Sequence, residues 1–171
     1  MNETDYHVRR AEEEDISALI DVLESVAGEG RWIATEQPID KDARAQGLRD
    51  RFYDVDAAVT YVAELDGAIV GSAGLEQVTP GLLRLGMAIV KEHRRKGLGA
   101  RLVRQCLDHA KAQGAHKVVL EVWPHNSGAI SLYERFGFEQ EGYFRRHYRR
   151  KSGELWDSVV MGLRLPGPPG D

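Results

Sequence analysis

The chain has 171 residues, of which 42% are hydrophobic and 29% are charged, a composition typical of one folded domain and not of a disordered chain. The formal net charge of −4 argues against a protein dedicated to nucleic-acid binding, although a local basic site is compatible with it. The single cysteine, Cys106, excludes an internal disulfide and a cysteine-based zinc cluster, and it indicates a reducing compartment.

The amino-terminal stretch MNETDYHVRRAEEED has no apolar centre, so we do not expect a signal peptide. No apolar run approaches the ~20 residues that a membrane-spanning helix needs. We therefore expect a cytoplasmic protein without a membrane partner.

The first half of the chain predicts one strand and two helices. Residues 6–10 (YHVRR) are extended in character. Apolar residues at helical spacing predict a helix that starts at Glu13 and ends at the glycines of GEG, Gly28 and Gly30. The irregular stretch GRWIATEQPI leads to Asp40, a good N-cap for a second helix through about Tyr53.

Three strands are predicted next. Residues 57–65 and 68–78 flank Asp66-Gly67, a strong tight-turn signal, and so predict a β-hairpin. A further turn at Thr79-Pro80-Gly81 precedes a strand over residues 82–90.

The second half predicts a long helix, a strand, a short helix and a closing hairpin. The expected limits are Gly97–Gln113, Lys117–Trp123, Ser127–Phe136, Phe138–Tyr148 and Trp156–Leu165. The order β-α-α-β-β-β-α-β-α-β-β predicts an α/β fold (an α+β mixed sheet) with helices on its faces. The ending PGPPGD carries no packing signal, so we expect a single domain over 1–165 and a disordered tail over 166–171.

The stretch HRRKGLGARL joins a strand to the long helix. N–H groups at a helix start bind phosphate readily, and glycines allow a close approach of the backbone. Three cations stand directly before Gly97 and Gly99. We therefore expect pyrophosphate binding, although the stretch alone is equally compatible with a solvated turn. A Walker loop and a dinucleotide fingerprint are both absent, because the spacing of glycines and the following residues do not match them.

A wider pattern resembles the GNAT family of N-acetyltransferases. The stretch RRKGLG matches the family motif R/Q-x-x-G-x-G/A, and LEVWPHNSGAISLYERFGF matches its later strand, Asn, Tyr and Gly-Phe. The closing segment EGYFRRHYRRKSGELWDSVVMGL resembles the family's last hairpin. The resemblance covers nearly the whole chain and implies acetyl-CoA as the donor.

The resemblance implies a specific donor site. It places the pyrophosphate on the loop and helix start, and the pantetheine arm along the strand before it. It also implies a bulged central strand, with Gly86 as the candidate bulge, that splays from its neighbour. The implied cofactor-binding residues are Met87, Ala88, Ile89, Val90, Arg94, Arg95, Lys96, Gly97, Leu98, Gly99, Ala100, Asn126, Ala129 and Tyr133.

The resemblance also implies catalytic roles. The N–H of Ile89 would stabilise the oxyanion, and Tyr133 would protonate the departing thiolate. Glu76 is the first candidate for the general base. Glu121 lies in an apolar strand, where a carboxylate is paired, outward-facing or functional, and we expect it to contact the substrate. His125 and His147 are further candidates for the base.

The acceptor is expected to be a small-molecule amine, either an amino acid or an amine-bearing antimetabolite. The resemblance implies that the stretch between the first two helices shapes the acceptor pocket, so Glu29, Arg31 and Trp32 are the candidate acceptor-side residues. Cys106 lies on an apolar helix face, so we expect direct transfer in a ternary complex without an acetyl-cysteine. The alternatives are a protein N-terminal or lysine acetyltransferase and a catalytically silent CoA-binding module.

The remaining expectations concern partners. The basic run at residues 145–151 alternates with aromatic residues and is compatible with a solvated hairpin, a groove rim or an acidic macromolecule. We expect no nucleic-acid partner and no metal. A homodimer is an expected assembly, since dimers are common in families of this kind.

Overall fold

The structure is a computed structural model that describes residues 5–54 and 58–166. Its strands are β1 (His7–Arg10), β2 (Ala58–Leu65), β3 (Ala68–Thr79), β4 (Leu82–Ile89), β5 (Lys117–Val122), β6 (Glu139–Arg149) and β7 (Leu155–Arg164). Its α-helices are α1 (Ile16–Gly28), α2 (Lys41–Tyr53), α3 (Leu98–Ala112) and α4 (Ser127–Arg135). The predicted order of strands and helices is confirmed. Within the described residues, no helix is both long and apolar enough to cross a membrane.

The seven strands form one mixed sheet in the order β1-β2-β3-β4-β5-β7-β6. Only β4 and β5 pair in parallel, and every other neighbouring pair is antiparallel. The predicted α/β class is therefore confirmed. That the chain is a single domain over 1–165 stays a prediction. Residues 167–171 of the expected disordered tail lie outside the described residues, as does Ala57 of the predicted second strand.

Alternate residues of the strands supply two apolar layers, one on each face of the sheet. Tyr61 and Ala63 of β2 join a large core that includes the fully buried Leu102 of α3. Val62, which points to the other face, packs with Leu19 of α1 in a smaller core. Helices α1 and α2 therefore cover one face, and α3 covers the other.

Local signals set most of the element limits. The side chain of Asp40 accepts a hydrogen bond from the N–H of Ala43 at 2.9 Å, which confirms it as the N-cap of α2. Asp66 and Gly67 both have positive φ (50° and 79°), the conformation that a tight two-residue hairpin requires. The largest difference from the predicted limits is at α1, because Glu13–Asp15 forms a 3-10 turn before this helix begins.

The parallel pair β4–β5 opens after three residue pairs. Leu82, Leu83 and Arg84 pair with residues 117–119, and there the register of the two strands ends. Strand β4 then continues against β3 as far as Ile89, while β5 continues against β7 as far as Val122. The two strands thus diverge into a wedge between residues 85–89 and 120–122, which confirms the predicted splay.

The bulge expected at Gly86 is wrong. Gly86 pairs with Gly74 in a continuous register between β3 and β4, and the register shift in this pair lies between Gln77 and Thr79 instead. The wedge therefore arises because β4 leaves β5, since residues 83–89 of β4 stay in continuous register with β3. The free space beside Gly86, where a Cβ would meet no atom within 4 Å, agrees with this open edge.

Candidate active site

The loop before α3 lies next to the wedge. Gly97 is the N-cap of α3 and has a left-handed conformation with φ of 80°, which glycine adopts without steric cost. No side chain of the described residues caps this helix start. The first N–H groups of α3 can therefore bind an anion, with the helix dipole adding to the attraction.

Gly99 has a different role from Gly97. A Cβ on Gly99 would lie 3.0 Å from a methyl of Leu132 in α4 and 3.6 Å from Ile89 in β4. This glycine lets the first turn of α3 pack closely against both elements. The helix start is thus held beside the residues that line the open edge of β4.

The three cations of the motif are not equivalent. Arg95 and Lys96 are exposed, and Arg95 has a positive φ of 58°. The guanidinium of Arg94 instead makes a two-fold pair with the carboxylate of Glu29, with one bond of 2.9 Å. Its Nε also donates to the carbonyl oxygen of Ile89 at 2.8 Å. Arg94 is therefore held by protein partners, unlike the two exposed cations, and its role in cofactor binding stays a prediction.

Helix α4 carries three of the predicted residues. The side-chain oxygen of Asn126 accepts from the N–H of Ala129 at 3.3 Å, so Asn126 is the N-cap of α4. Tyr133 is 7% exposed and packs against Phe138 with ring centroids 5.7 Å apart. Burial raises the pKa of the Tyr133 phenol, with a smaller contribution from Cys106. The phenol is consequently a neutral proton donor over the whole working pH range.

Cys106 lies fully buried on α3. Burial raises the pKa of its thiol to about 12. A thiol that stays protonated and has no access to solvent is a poor nucleophile.

Glu121 is the centre of a polar cluster on the α1–α2 face of the sheet. One oxygen of its carboxylate accepts from the hydroxyl of Tyr148 at 2.8 Å and from the hydroxyl of Ser158 at 2.9 Å. Burial and this bond raise the pKa of Tyr148 to about 12, so Tyr148 stays a hydrogen-bond donor at neutral pH. Glu121 lies two residues beyond the last β4–β5 pair, beside the wedge.

Aromatic rings surround this cluster. Trp123, directly after β5, packs edge-on against Tyr148 at 5.0 Å and against Trp156 at 5.3 Å. His125 packs against Trp156 at 5.3 Å and against Trp32 at 6.1 Å. The aromatic surface therefore runs from the end of β5 to the loop between α1 and α2.

We call the segment of residues 29–40 the α1–α2 loop. Trp32 donates from its indole N–H to Glu29 at 2.7 Å, and Arg31 lies over the Trp32 ring at 4.9 Å. His125 Nε2 lies 2.8 Å from the carbonyl oxygen of Arg31. The structure thus brings together the three predicted residues Glu29, Arg31 and Trp32 on the aromatic surface.

The end of the basic run clamps the same loop. Arg150 is 5% exposed, lies 4.5 Å from the centroid of Trp156, and donates to the carbonyl oxygens of Ile33 and Ala34. The ammonium of Lys151 donates to the carbonyl oxygen of Gln37 at 2.7 Å. These two cations are therefore structural clamps and not part of a free basic surface.

Two donors near this clamp lack partners. The Nη2 of Arg150 and the indole N–H of Trp123 are buried and have no hydrogen-bond partner among the described residues. Buried polar groups in native proteins are nearly always paired. An oxygen atom that accepts hydrogen bonds from these two donors would therefore be stabilised at this place.

Glu76 occupies a different place from Glu121. It pairs with Arg51 of α2 at 3.3 Å, and both side chains are nearly half exposed. Its neighbour across the sheet is Arg84, at the closed end of the wedge where β4 and β5 are still paired. Its role as the general base stays a prediction.

Comparison with known proteins agrees with this geometry. Residues 19–138 match the family model described as "Acetyltransferase (GNAT) family". The chain belongs to this acetyltransferase family. Its members use acetyl-CoA, and this chain is an acetyl-CoA-dependent acetyltransferase.

One relative extends the match over nearly the whole chain, and a second covers part of it. The chain is 26% identical over 167 residues to an L-methionine sulfoximine/L-methionine sulfone acetyltransferase of Pseudomonas paraeruginosa, covering 92% of this chain and 94% of that protein. It is 33% identical over 122 residues to an N-alpha-acetyltransferase of Sulfurisphaera tokodaii, covering 63% of this chain and 70% of that protein.

A solved structure shows the same fold. The phosphinothricin acetyltransferase of Sinorhizobium meliloti in complex with acetyl-CoA superposes with a TM-score of 0.83 at 19% identity, over 96% of this chain and 94% of that chain.

Sequence reasoning did not single out several residues of the candidate site. Tyr148, Ser158, Arg150, Trp123 and Trp156 all lie on the face of Glu121 or under the α1–α2 loop. Ser158 carried a usable signal, because it is a polar residue in the apolar strand SVVMGL and is fully buried. The other four could not be separated from ordinary hairpin residues without knowing the register of β6 and β7.

Proposed function

We propose that this acetyltransferase transfers the acetyl group of acetyl-CoA directly to the primary amine of a small amino acid or a related amine-bearing compound, in a ternary complex. The observation that carries the proposal is the wedge between β4 and β5, with the start of α3 at one side and the Glu121 cluster at the other. One side suits a phosphate-bearing donor, and the other suits a cationic amine.

The donor side has the features that acetyl-CoA requires. Acetyl-CoA supplies the acetyl thioester. The N–H groups from Arg95 to Ala100 hold its pyrophosphate, and the residues Met87 to Val90 align its extended arm. Along this arm, the N–H of Ile89 is the donor for the oxygen that gains charge during transfer. One such donor is typically worth ~10²–10³ in rate.

The acceptor side suits a molecule that carries both an ammonium and a carboxylate. The carboxylate of Glu121 binds the ammonium of the acceptor and accepts its proton directly or through water. The partnerless donors of Arg150 and Trp123 suit the carboxylate of an amino acid. The loop that Arg150 and Lys151 clamp over this face supports a small acceptor rather than a long peptide.

The transfer step uses Tyr133 as the acid. Its neutral phenol gives a proton to the sulfur as the bond between sulfur and the acetyl carbon breaks. The buried thiol of Cys106, whose pKa is raised to about 12, supports direct transfer over an acetyl-cysteine intermediate. The relative that acetylates L-methionine sulfoximine supports an amino-acid acceptor, and it resembles this chain over almost its full length.

The second candidate is a protein N-terminal acetyltransferase. It is favoured by the similarity to the N-alpha-acetyltransferase of Sulfurisphaera tokodaii. Location in the cytoplasm and assembly as a homodimer stay predictions.

A thiol-release assay with acetyl-CoA tests the proposal on a panel of amines. The panel contains L-methionine sulfoximine, the common L-amino acids, polyamines, and a short peptide with a free amino-terminal alanine. We expect turnover on at least one free amino acid and none on its N-acetyl derivative. Turnover on the peptide alone would favour the second candidate. A thermal shift with acetyl-CoA but no turnover on any amine would favour a silent CoA-binding module.

A further inference from the structure

We propose that Arg94 is a positioning residue that couples the α1–α2 loop to the donor strand β4, and that its side chain is not a ligand of the donor pyrophosphate. The inference rests on the acetyl-CoA site of the proposed function and concerns a residue of the motif itself. Arg94 and the two cations that follow it therefore have different roles, although the three residues are adjacent in the sequence.

The first step of the argument is the geometry of the Arg94 guanidinium. Its two terminal nitrogens both donate to the carboxylate of Glu29, and its Nε donates to the backbone oxygen of Ile89. A two-fold pair of this kind is directional and among the stronger polar contacts in proteins. All three nitrogens of the guanidinium thus have protein partners, so turning the side chain toward the helix start would break these bonds.

The second step concerns the contacts that Glu29 and Arg94 make with Trp32. Glu29 also accepts the indole N–H of Trp32, and the guanidinium of Arg94 lies 5.7 Å from the centroid of that ring. Trp32 in turn packs against His125, which precedes the N-cap of α4 by one residue. The Arg94 side chain therefore connects the end of β4 to the loop and, through Trp32, to the β5–α4 connection.

The third step is electrostatic. Arg94 and Glu29 are each about three-quarters shielded from solvent, with exposed side-chain fractions of 26% and 25%. Their pairing lowers the pKa of Glu29, with the Arg94 bond as the largest cause, so the carboxylate stays charged at neutral pH. Moving Arg94 to a phosphate would remove both Arg94 bonds from this partly shielded carboxylate, which costs free energy.

The last step links both sites. Binding of the donor restricts the motion of the backbone from Ile89 to Gly97. The hydrogen bonds of Arg94 to Glu29 extend this restriction to the α1–α2 loop. Donor binding and loop order are then coupled, and the coupling must be reciprocal. Acceptors then meet a more ordered loop when the donor is in place.

Hydrogen–deuterium exchange by mass spectrometry tests the loop, and titration calorimetry with acetyl-CoA tests the donor site. The variants are Arg94→Gln, Glu29→Gln and, as the matched control, Lys96→Gln, which removes an exposed cation of the same motif. We expect exchange in residues 29–37 to become about 5- to 10-fold faster in the first two variants and to stay as in wild type in the control. Acetyl-CoA affinity should change less than about 2-fold in Arg94→Gln and fall by about 3- to 10-fold in Lys96→Gln.

Two further measurements sharpen the test. Acetyl-CoA should slow exchange in the loop of the wild-type protein, and this protection should be lost in Arg94→Gln although acetyl-CoA still binds. Arg94→Lys keeps the charge but cannot form the two-fold pair together with the Ile89 bond, so its loop should behave like that of Arg94→Gln.

The outcomes are separable from the proposed function. Unchanged loop exchange in Arg94→Gln overturns the proposal, as does an equal loss of acetyl-CoA affinity in Arg94→Gln and Lys96→Gln. Loop exchange at the wild-type rate in Arg94→Lys would show that a positive charge alone is sufficient to order the loop, which would also contradict the proposal. If acetyl-CoA did not bind the wild-type protein, the donor site would be wrong, while the exchange comparison without ligand would still decide whether Arg94 holds the loop.

Discussion

Removal of one hydroxyl separates the chemical role of Tyr133 from its packing role. In Tyr133→Phe the ring keeps its place against Phe138, because the two side chains differ only in the hydroxyl. That hydroxyl has no hydrogen-bond partner among the described residues, so its loss should leave the melting temperature nearly unchanged. Acetyl-CoA affinity should also change by less than about 2-fold, since the phenol contributes its proton in the transition state.

The expected loss is in turnover. A positioned general acid contributes typically ~10²–10⁴ in rate, and the thiolate is a modest leaving group, so we expect kcat to fall about 10²-fold. Burial raises the pKa of Tyr133, so its phenol stays protonated in the wild type and should cause no fall in kcat up to pH 10. The assay is thiol release with the amine that turns over fastest in the panel, over pH 6–10 (roughly the range in which both substrates survive). A kcat within about 2-fold of wild type would remove Tyr133 from the acid role.

Three further variants test other parts of the molecule. Asp15→Ala should lower the free energy of unfolding by about 2 kcal/mol in a denaturant titration, because the Asp15 carboxylate accepts two hydrogen bonds from Arg9. Arg9 lowers the pKa of Asp15, so this contribution to stability is present at neutral pH and is lost as the pH falls through that lowered pKa. Glu121→Gln should raise the KM for the amine at least about 10-fold with unchanged acetyl-CoA affinity by calorimetry, and an unchanged KM would exclude amine binding by Glu121. Gly99→Trp should abolish acetyl-CoA binding, because even a Cβ there lies 3.0 Å from Leu132; retained affinity would contradict the donor geometry.

The fold could be predicted from the sequence because its signals are local. Helical spacing, the N-cap Asp40 and the turn Asp66-Gly67 depend on neighbouring residues alone, and each acts as expected in the structure. The splay of β4 from β5 is not local and came from the family resemblance. The bulge at Gly86 was wrong because a glycine inside a strand permits a distortion without requiring one, and here the partner strand stays in register.

The candidate acceptor site was only partly predictable, since its residues meet through contacts between distant parts of the chain. Glu121 was singled out as a carboxylate in an apolar strand, but its partners Tyr148 and Ser158 lie 27 and 37 residues away. No spacing rule relates such positions. Their proximity follows from the insertion of β7 between β5 and β6, which the order of elements along the chain does not fix.

The basic run shows how one backbone irregularity decides which cations are available to a ligand. Between Phe144 and Tyr148 the register of β6 against β7 shifts, and Arg146 takes a positive φ of 51° there. Asp157 holds this irregularity, because its carboxylate accepts the N–H of Arg146 at 2.7 Å and the hydroxyl of Tyr143 at 2.8 Å. After the shift, Tyr148 reaches Glu121 while Arg150 turns inward under the α1–α2 loop. The shift adds two residues to β6, so the side chains keep their faces of the sheet, but Tyr148 lies opposite Trp156 instead of Glu154. Arg150 then reaches the carbonyl oxygens of Ile33 and Ala34, so the charge of the basic run is divided between solvent and the contacts that hold the α1–α2 loop.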